Sequence, residues 1–320
     1  MSKTYRSLTK FIFNVRHLFK TRNITQRQSS PVIAPYFLHD APYLLSHRGG
    51  MFERPEHTQL AFDHSQQLGL TGFEIDIRLT KDEHVIVFHD RDVDRTTNGS
   101  GRVSEHTLEE LLKLDAGYHF KNKHGHMPYI GHPLAKIMTL DALLERYPDQ
   151  LVNIDIKDKP TTYEGTIAAE RLYRVIVKHK AQHRVLVTSF HKKQIERFNH
   201  YNQNKIATGA SQAEVTEGIM KLFLGIPFLY KGQAHTFQMP LSYRGLSLTS
   251  PRLISWLNAR CIIPGYYGVN HLALMHNLTD KGVHTIVTDR PSLARQFLAN
   301  KKICHIYKLF HINPAIRTHQ

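Results

Sequence analysis

Two β-branched runs, Gly72 to Leu79 and His84 to Phe88, are separated only by Thr80 to Glu83, and that short connection decides how the chain can fold there. A parallel crossover needs roughly a dozen residues or more, so these runs must form an antiparallel hairpin. Around it, the runs Tyr43 to Ser46, Leu151 to Ile156, Arg184 to Thr188, Ile206 to Thr208, Gly245 to Leu248, Cys261 to Gly265 and His284 to Thr288 alternate with helical patterns and turn residues. Such alternation predicts an α/β fold. With the second arm of the hairpin set aside, enough strands remain for an eight-stranded barrel. A chain of 320 residues, 41% hydrophobic, can bury the core of one such domain.

If the hairpin turns on Lys81 and Asp82, antiparallel pairing sets Arg78 opposite Val85, Asp76 opposite Val87 and Glu74 opposite His89. Two carboxylates and a histidine then cluster. Glu74 and Asp76 stand two apart on a strand and so share a face, where two hard oxygen ligands can hold one cation. Asp155, near the end of another strand pattern, is the third candidate ligand for Mg2+ or Ca2+ if the strands meet at one barrel mouth.

The net charge of +15 is concentrated at the ends, with no Asp or Glu before Asp40 and none after Asp289. Nucleic-acid binders carry their basic stripe across the folded domain, so basic tails argue against nucleic acid and for anionic lipid as a partner. Residues 1 to 22 place Leu8, Phe11, Ile12, Val15, Leu18 and Phe19 at helical spacing among Arg6, Lys10, Arg16 and Lys20, a basic amphipathic helix. It is too short in apolar run to span a bilayer and is followed by no small-residue cleavage site, so a cytoplasmic location is expected, with the helix either in peripheral membrane contact or packed on the barrel. The expected organisation is an extension and linker over 1–39, a catalytic domain over 40–300 and a basic tail over 301–320. Cys261 and Cys304 cannot make a disulfide framework and lack zinc-site spacing.

A longer ordered pattern surrounds the carboxylates: Ser46-His47-Arg48-Gly49-Gly50, Pro55-Glu56-His57-Thr58, Glu74-Ile75-Asp76, Thr80-Lys81-Asp82, His89-Asp90, Arg95-Thr96-Thr97, Asn153-Ile154-Asp155-Ile156-Lys157, Thr188-Ser189-Phe190 and Thr288-Asp289-Arg290-Pro291. On these residues the chain resembles the glycerophosphodiester phosphodiesterase family over roughly residues 43 to 299. The resemblance implies a somewhat distorted TIM-type (β/α)8 barrel that uses a divalent cation. It departs at two positions: His57 stands where the family usually has Asn, and Asp155 where it usually has Glu. Aspartate reaches about one methylene less while keeping the charge, so altered metal preference is expected with activity retained.

By the same resemblance, His47 and His89 are the general acid and base, Arg48 and Lys157 contact the substrate phosphate, and Glu74, Asp76 and Asp155 ligate the metal. A neighbouring glycerol hydroxyl then attacks phosphorus, and water opens the cyclic phosphate. The chemistry is sound for these groups, because imidazole titrates near neutral pH and a cation with Arg48 and Lys157 can stabilise phosphoryl charge.

The apolar stretch Ile219 to Tyr230 is expected to form either a lid or lipid-facing element at the mouth, or ordinary helix packing. Tyr266 and Tyr267 are candidates for lining the alcohol pocket or filling the barrel. The expected activity is hydrolysis of glycerophosphodiesters to glycerol 3-phosphate and an alcohol. Its alternatives are a lysophospholipase D acting on membrane lysophospholipids and a non-catalytic phospholipid-binding barrel.

Overall fold

The computed structural model describes residues 34–300. The expectations for residues 1 to 22, for the tail from residue 301 and for Cys304 lie outside the described residues. The first half runs β1 (Tyr43–His47), α1 (Gln59–Gln67), β2 (Gly72–Leu79), β3 (Val85–Val87), α2 (Leu108–Lys113), β4 (Met138–Thr139), α3 (Leu140–Arg146), β5 (Leu151–Ile156) and α4 (Tyr163–Lys178). The second half runs β6 (Val185–Thr188), α5 (Lys192–Asn202), β7 (Ala207–Thr208), α6 (Gln212–Phe223), β8 (Thr236–Met239), β9 (Ser242–Tyr243), β10 (Leu246–Ser247), α7 (Pro251–Ala259), β11 (Ile263–Tyr266), α8 (Leu272–Asp280) and β12 (Thr285–Thr288).

Parallel pairing runs in the order β7-β6-β5-β2-β1-β12-β11-β8. A parallel bridge between Gly209 and Thr236 joins the two ends and closes the barrel. Closure removes the exposed edges that an open sheet of this length would present. Side chains alternate as a strand dictates: Phe73, Ile75 and Ile77 of β2 pack outward with Val152, Ile154 and Ile156 of β5 onto Leu140, Leu172 and Ile176 of the helices. The residues between them, Glu74, Asp76, Asn153 and Asp155, therefore face the barrel interior. Lower in the interior, Leu45, Leu151, Leu186, Ala207 and Val287 pack with Tyr36 and Phe37, which plug the floor.

Helix starts are fixed locally. Thr58, Thr139, Thr162, Ser211 and Ser250 each accept a hydrogen bond from the first turn of the helix they precede, and Thr107 forms a reciprocal capping box with Glu110. Gly72 is required by contact: a Cβ there would lie 2.0 Å from the Leu151 carbonyl oxygen.

Two sequence expectations are corrected. The hairpin pairs Ile77 with Val87, Arg78 with Ile86 and Leu79 with Val85, one residue off the expected register. The loop holds one more residue than assumed, with Glu83 in the left-handed region at φ 65° and the Thr80 N–H donating to the His84 carbonyl. The pairings of Asp76 with Val87 and of Glu74 with His89 are accordingly absent, and the Phe88 N–H instead donates to the Asp76 carbonyl at 2.9 Å. The second correction concerns Gly245 to Leu248, which is no barrel strand. Leu246–Ser247 pairs only with Ser242–Tyr243 in an exposed ribbon, and the barrel position belongs to β8, Thr236–Met239. Gln238 and the neighbouring Gly232 and Pro240 masked β8 in the sequence.

Candidate active site

The strands' carboxyl ends deliver the polar residues to one mouth. His47 ends β1, and Arg48 follows with φ 53°, turning the chain sharply. Gly50, at φ 100°, lies so close to Pro291 that a Cβ would meet its ring at 2.2 Å. That approach brings the His47-Arg48-Gly49-Gly50 turn against the Asp289-Arg290-Pro291 segment after β12. One cavity of about 420 Å³ is lined by His47, Arg48, Glu74, Asp76, His89, Asp155 and Lys157. Every residue singled out from sequence for the site borders it.

His47 Nδ1 lies 2.5 Å from Asp289 Oδ1, and its Nε2 points into the site 3.7 Å from Glu74 Oε2. Burial pushes the His47 imidazole down, but the Glu74 charge and the Asp289 hydrogen bond outweigh it and hold the pKa above the ordinary value. Asp289 is itself held by Asn270, whose amide nitrogen donates to Oδ2 at 2.5 Å and whose oxygen accepts from the Asp289 N–H at 2.9 Å. His89 has the same arrangement with a nearer partner, Nδ1 lying 2.5 Å from Asp90 Oδ1. Arg95 clamps Asp90 and also bonds both oxygens of Glu56, at 2.7 and 3.0 Å. Glu56 in turn accepts from Arg48 at 3.0 Å.

Asp76 is flanked by two cations and a buried imidazole. Lys157 Nζ stands 2.9 Å from Oδ1, while Arg48 Nε and His57 Nε2 stand 3.2 and 3.3 Å from Oδ2. Burial alone would raise Asp76, but His57, Lys157 and Arg48 hold it well below the usual carboxylate range. Glu74 goes the other way, pushed up to about 7 by burial and then by the Asp76 charge. Asp155 is also raised by burial, against the pull of Lys157, whose Nζ sits 2.6 Å from its Oδ2.

No group of three or more His, Cys, Asp or Glu among the described residues is gathered into a metal-binding geometry. The donor chemistry nevertheless fits a hard divalent ion. Glu74 Oε2 and Asp155 Oδ1 are buried and make no hydrogen bond, a costly arrangement for carboxylates that a bound cation would relieve, and Asp76 beside them is held through ion pairs alone. In this arrangement the Lys157 ammonium bridges Asp76 and Asp155 and competes with such an ion.

The sequence reading missed Asp289, Asp90, Glu56 and Arg95 as functional residues, although all stand inside the quoted motifs. Asn270 carried no signal, because nothing around it distinguishes an amide cap from any loop asparagine. Tyr267 borders the cavity, whereas Tyr266 is fully buried, with its hydroxyl donating to the Leu248 carbonyl at 2.5 Å.

A closed parallel barrel with buried carboxylates, two carboxylate-held histidines and two cations at its carboxyl mouth has the layout of a barrel hydrolase for a phosphorylated substrate. The glycerophosphoryl diester phosphodiesterase family matches residues 47–293, and the chain belongs to that family. A glycerophosphodiester phosphodiesterase of Caldanaerobacter subterraneus is 33% identical over 78% of this chain and 94% of its own length. One from Bacillus subtilis is 29% identical over 78% of this chain and 84% of its own length. Among solved structures, the glycerophosphoryl diester phosphodiesterase domain of a Mycobacterium tuberculosis protein superposes with a TM-score of 0.71 at 17% identity, covering 81% of this chain and 99% of that one. An Oleispira antarctica phosphodiesterase in complex with the product sn-glycerol-3-phosphate gives 0.60 at 20% identity, covering 82% of this chain and 97% of that one. Both likenesses place the chain in the same barrel fold.

Proposed function

We propose that this chain hydrolyses glycerophosphodiesters to glycerol 3-phosphate and an alcohol, with a divalent cation and His47 and His89 as the acid–base pair. The observation that carries the reading is the matched pair of histidines. Each has its Nδ1 engaged by a carboxylate, Asp289 or Asp90, and both border one cavity with Glu74, Asp76, Asp155, Arg48 and Lys157. A carboxylate on Nδ1 fixes the proton there and leaves Nε2 to exchange a proton with substrate.

In this reading one histidine takes the proton from the attacking hydroxyl and the other returns one to the departing alcohol oxygen. Arg48 and Lys157 stabilise charge on the phosphoryl oxygens, and Glu74, Asp76 and Asp155 would hold the cation. When bound, Mg2+ or Ca2+ supplies Lewis-acid neutralisation of the phosphoryl oxygens. The family relatives named above are themselves called glycerophosphodiester phosphodiesterases, which supports the substrate class.

A metal-supplemented assay on glycerophosphodiesters, scoring glycerol 3-phosphate, tests the reading. A lysophospholipase D activity would use the same centre, and the apolar lining of Val215, Ile219, Leu246 and Leu248 on one side of the cavity favours it as a second reading.

A further inference from the structure

A second cavity, of about 460 Å³, lies beside the turn that carries His47 and Arg48. Met51 and Phe52, which continue that turn, line it, as does Arg290, which follows Asp289. The Phe52 N–H donates to the Asp289 carbonyl at 3.2 Å, so this lining is tied to the His47–Asp289 pair. A groove shares His89 and Lys157 with the catalytic cavity and Arg95 with the second one. The groove itself carries both signs, Asp90, Asp92 and Asp94 against Arg78, Arg91, Arg95 and Lys157.

The second cavity is one-sided in charge. Arg95, Lys121, Lys123 and Arg290 line it together with His119, and Glu56 is the only carboxylate among the described residues that do so. That carboxylate is already engaged, accepting from Arg48 at 3.0 Å and from Arg95 at 2.7 and 3.0 Å. Arg95 is likewise committed to Glu56 and Asp90. Lys121, Lys123 and Arg290 have no ion-pair partner among the described residues, and the Arg290 guanidinium only lies over Phe52, 5.7 Å from the ring centroid. Cations gathered from separate loops without a counter-charge repel one another, and an anion between them relieves that repulsion. Thr96, in the same lining, keeps its hydroxyl buried with no hydrogen-bond partner, a rare state that an incoming acceptor corrects.

From this lining we propose that the second cavity binds a terminal phosphate group, presented either by the alcohol half of the substrate or by a free phosphate. Such a group carries close to two negative charges at neutral pH and three acceptor oxygens, which suits several cations and a hydroxyl converging from separate segments better than a single carboxylate does. The volume exceeds that of one phosphate, and Phe52 and Phe120 can cover the carbon skeleton that carries it. Presented by the substrate, the group selects diesters whose leaving alcohol ends in a second phosphate, with the groove past His89 as the path between the two phosphates. That arm rests on the function proposed above, whereas binding of free phosphate does not.

The test uses the full-length protein with Mg2+ and two sets of measurements. In the first, glycerophosphodiesters of an ω-hydroxyalkyl alcohol are compared with those of its ω-phosphate, at chains of about four and about eight carbons. At one of these lengths the phosphate should raise kcat/KM about tenfold. In Lys121→Ala, Lys123→Ala that gain should fall to about twofold or less, while the hydroxyl substrate is cleaved as by the wild type. In the second, calorimetry with inorganic phosphate should show binding at least about fivefold weaker in that double variant and in Arg290→Gln than in the wild type, whereas the control Lys192→Ala, Lys193→Ala on α5 should match the wild type. Loss of the gain assigns the site to the substrate, and weaker phosphate binding with no gain at either length assigns it to free phosphate. Phosphate binding and any gain that the Lys121 and Lys123 substitutions leave unchanged, or that the α5 control weakens as much, would overturn the site. Cleavage of no glycerophosphodiester, with phosphate binding still weakened by the cavity variants, would overturn the proposed function and leave this site standing.

Discussion

His47 and Asp289 are 242 positions apart in the chain, yet Nδ1 of one lies 2.5 Å from Oδ1 of the other. Adjacent parallel strands make this contact, because β1 pairs with β12 in a register that sets Ser46 beside Thr288. That pairing joins the first and last motifs of the sequence into one dyad, and Asn270 holds its carboxylate from the far side.

Replacing that carboxylate should separate positioning from folding. In Asp289→Asn the side chain keeps its size but no longer favours the proton on Nδ1, so turnover should fall on the order of 10²- to 10⁴-fold. KM and the melting temperature should move little. Wild-type turnover in this variant would remove Asp289 from the account.

The histidines themselves should matter at the scale of acid–base groups. His47→Ala and His89→Ala should each lower kcat by roughly 100-fold or more while circular dichroism stays native. Unchanged turnover in both would remove their proposed roles.

Asp155→Glu lengthens by one methylene the carboxylate that now touches Lys157 at 2.6 Å. Mg2+ demands short, near-octahedral contacts whereas Ca2+ accepts longer and more numerous ones, so ligand reach should change the Mg2+ to Ca2+ activity ratio without abolishing hydrolysis. Superimposable titrations with both ions for the two proteins would contradict the ligand assignment.

A stability effect is expected away from the site. The His284 ring packs against Tyr43 with centroids 4.2 Å apart, and burial pushes its pKa down to about 4. The unfolded chain binds this proton near pH 6.5, so the contribution is complete above that value and is lost as pH falls towards 4. The loss is at most roughly 3 kcal/mol, reduced by the ring's partial exposure to solvent. Urea unfolding of His284→Gln between about pH 7 and pH 4 should show a shallower decline than wild type. Parallel declines would refute this assignment.

Much of the site was legible because its chemistry travels in short motifs on strand ends. Period-2 alternation put Glu74 and Asp76 on one face whatever the pairing across the hairpin, so the register error of one residue did not scatter them. The polar strand β8 was hidden because Gln238 faces inward where an apolar residue would have signalled a strand, and the apolar Leu246 drew the assignment to an exposed ribbon instead. Asn270 and the Arg95–Glu56–Arg48 chain depend on three-dimensional proximity that no local period encodes. His57 shows the converse: its place after Pro55-Glu56 marked it as unusual, but only the fold reveals that it is buried against Asp76 with Nδ1 left without a partner.

The central claim is cation-dependent cleavage of a glycerophosphodiester, and it is tested most directly by stripping the purified protein with chelator and titrating Mg2+ or Ca2+ back in the presence of glycerophosphocholine. Chromatography should show glycerol 3-phosphate and choline appearing in equal amounts, saturating with the cation and vanishing again on chelation. Product formed equally well in chelator, or no glycerol 3-phosphate with either ion, would contradict it.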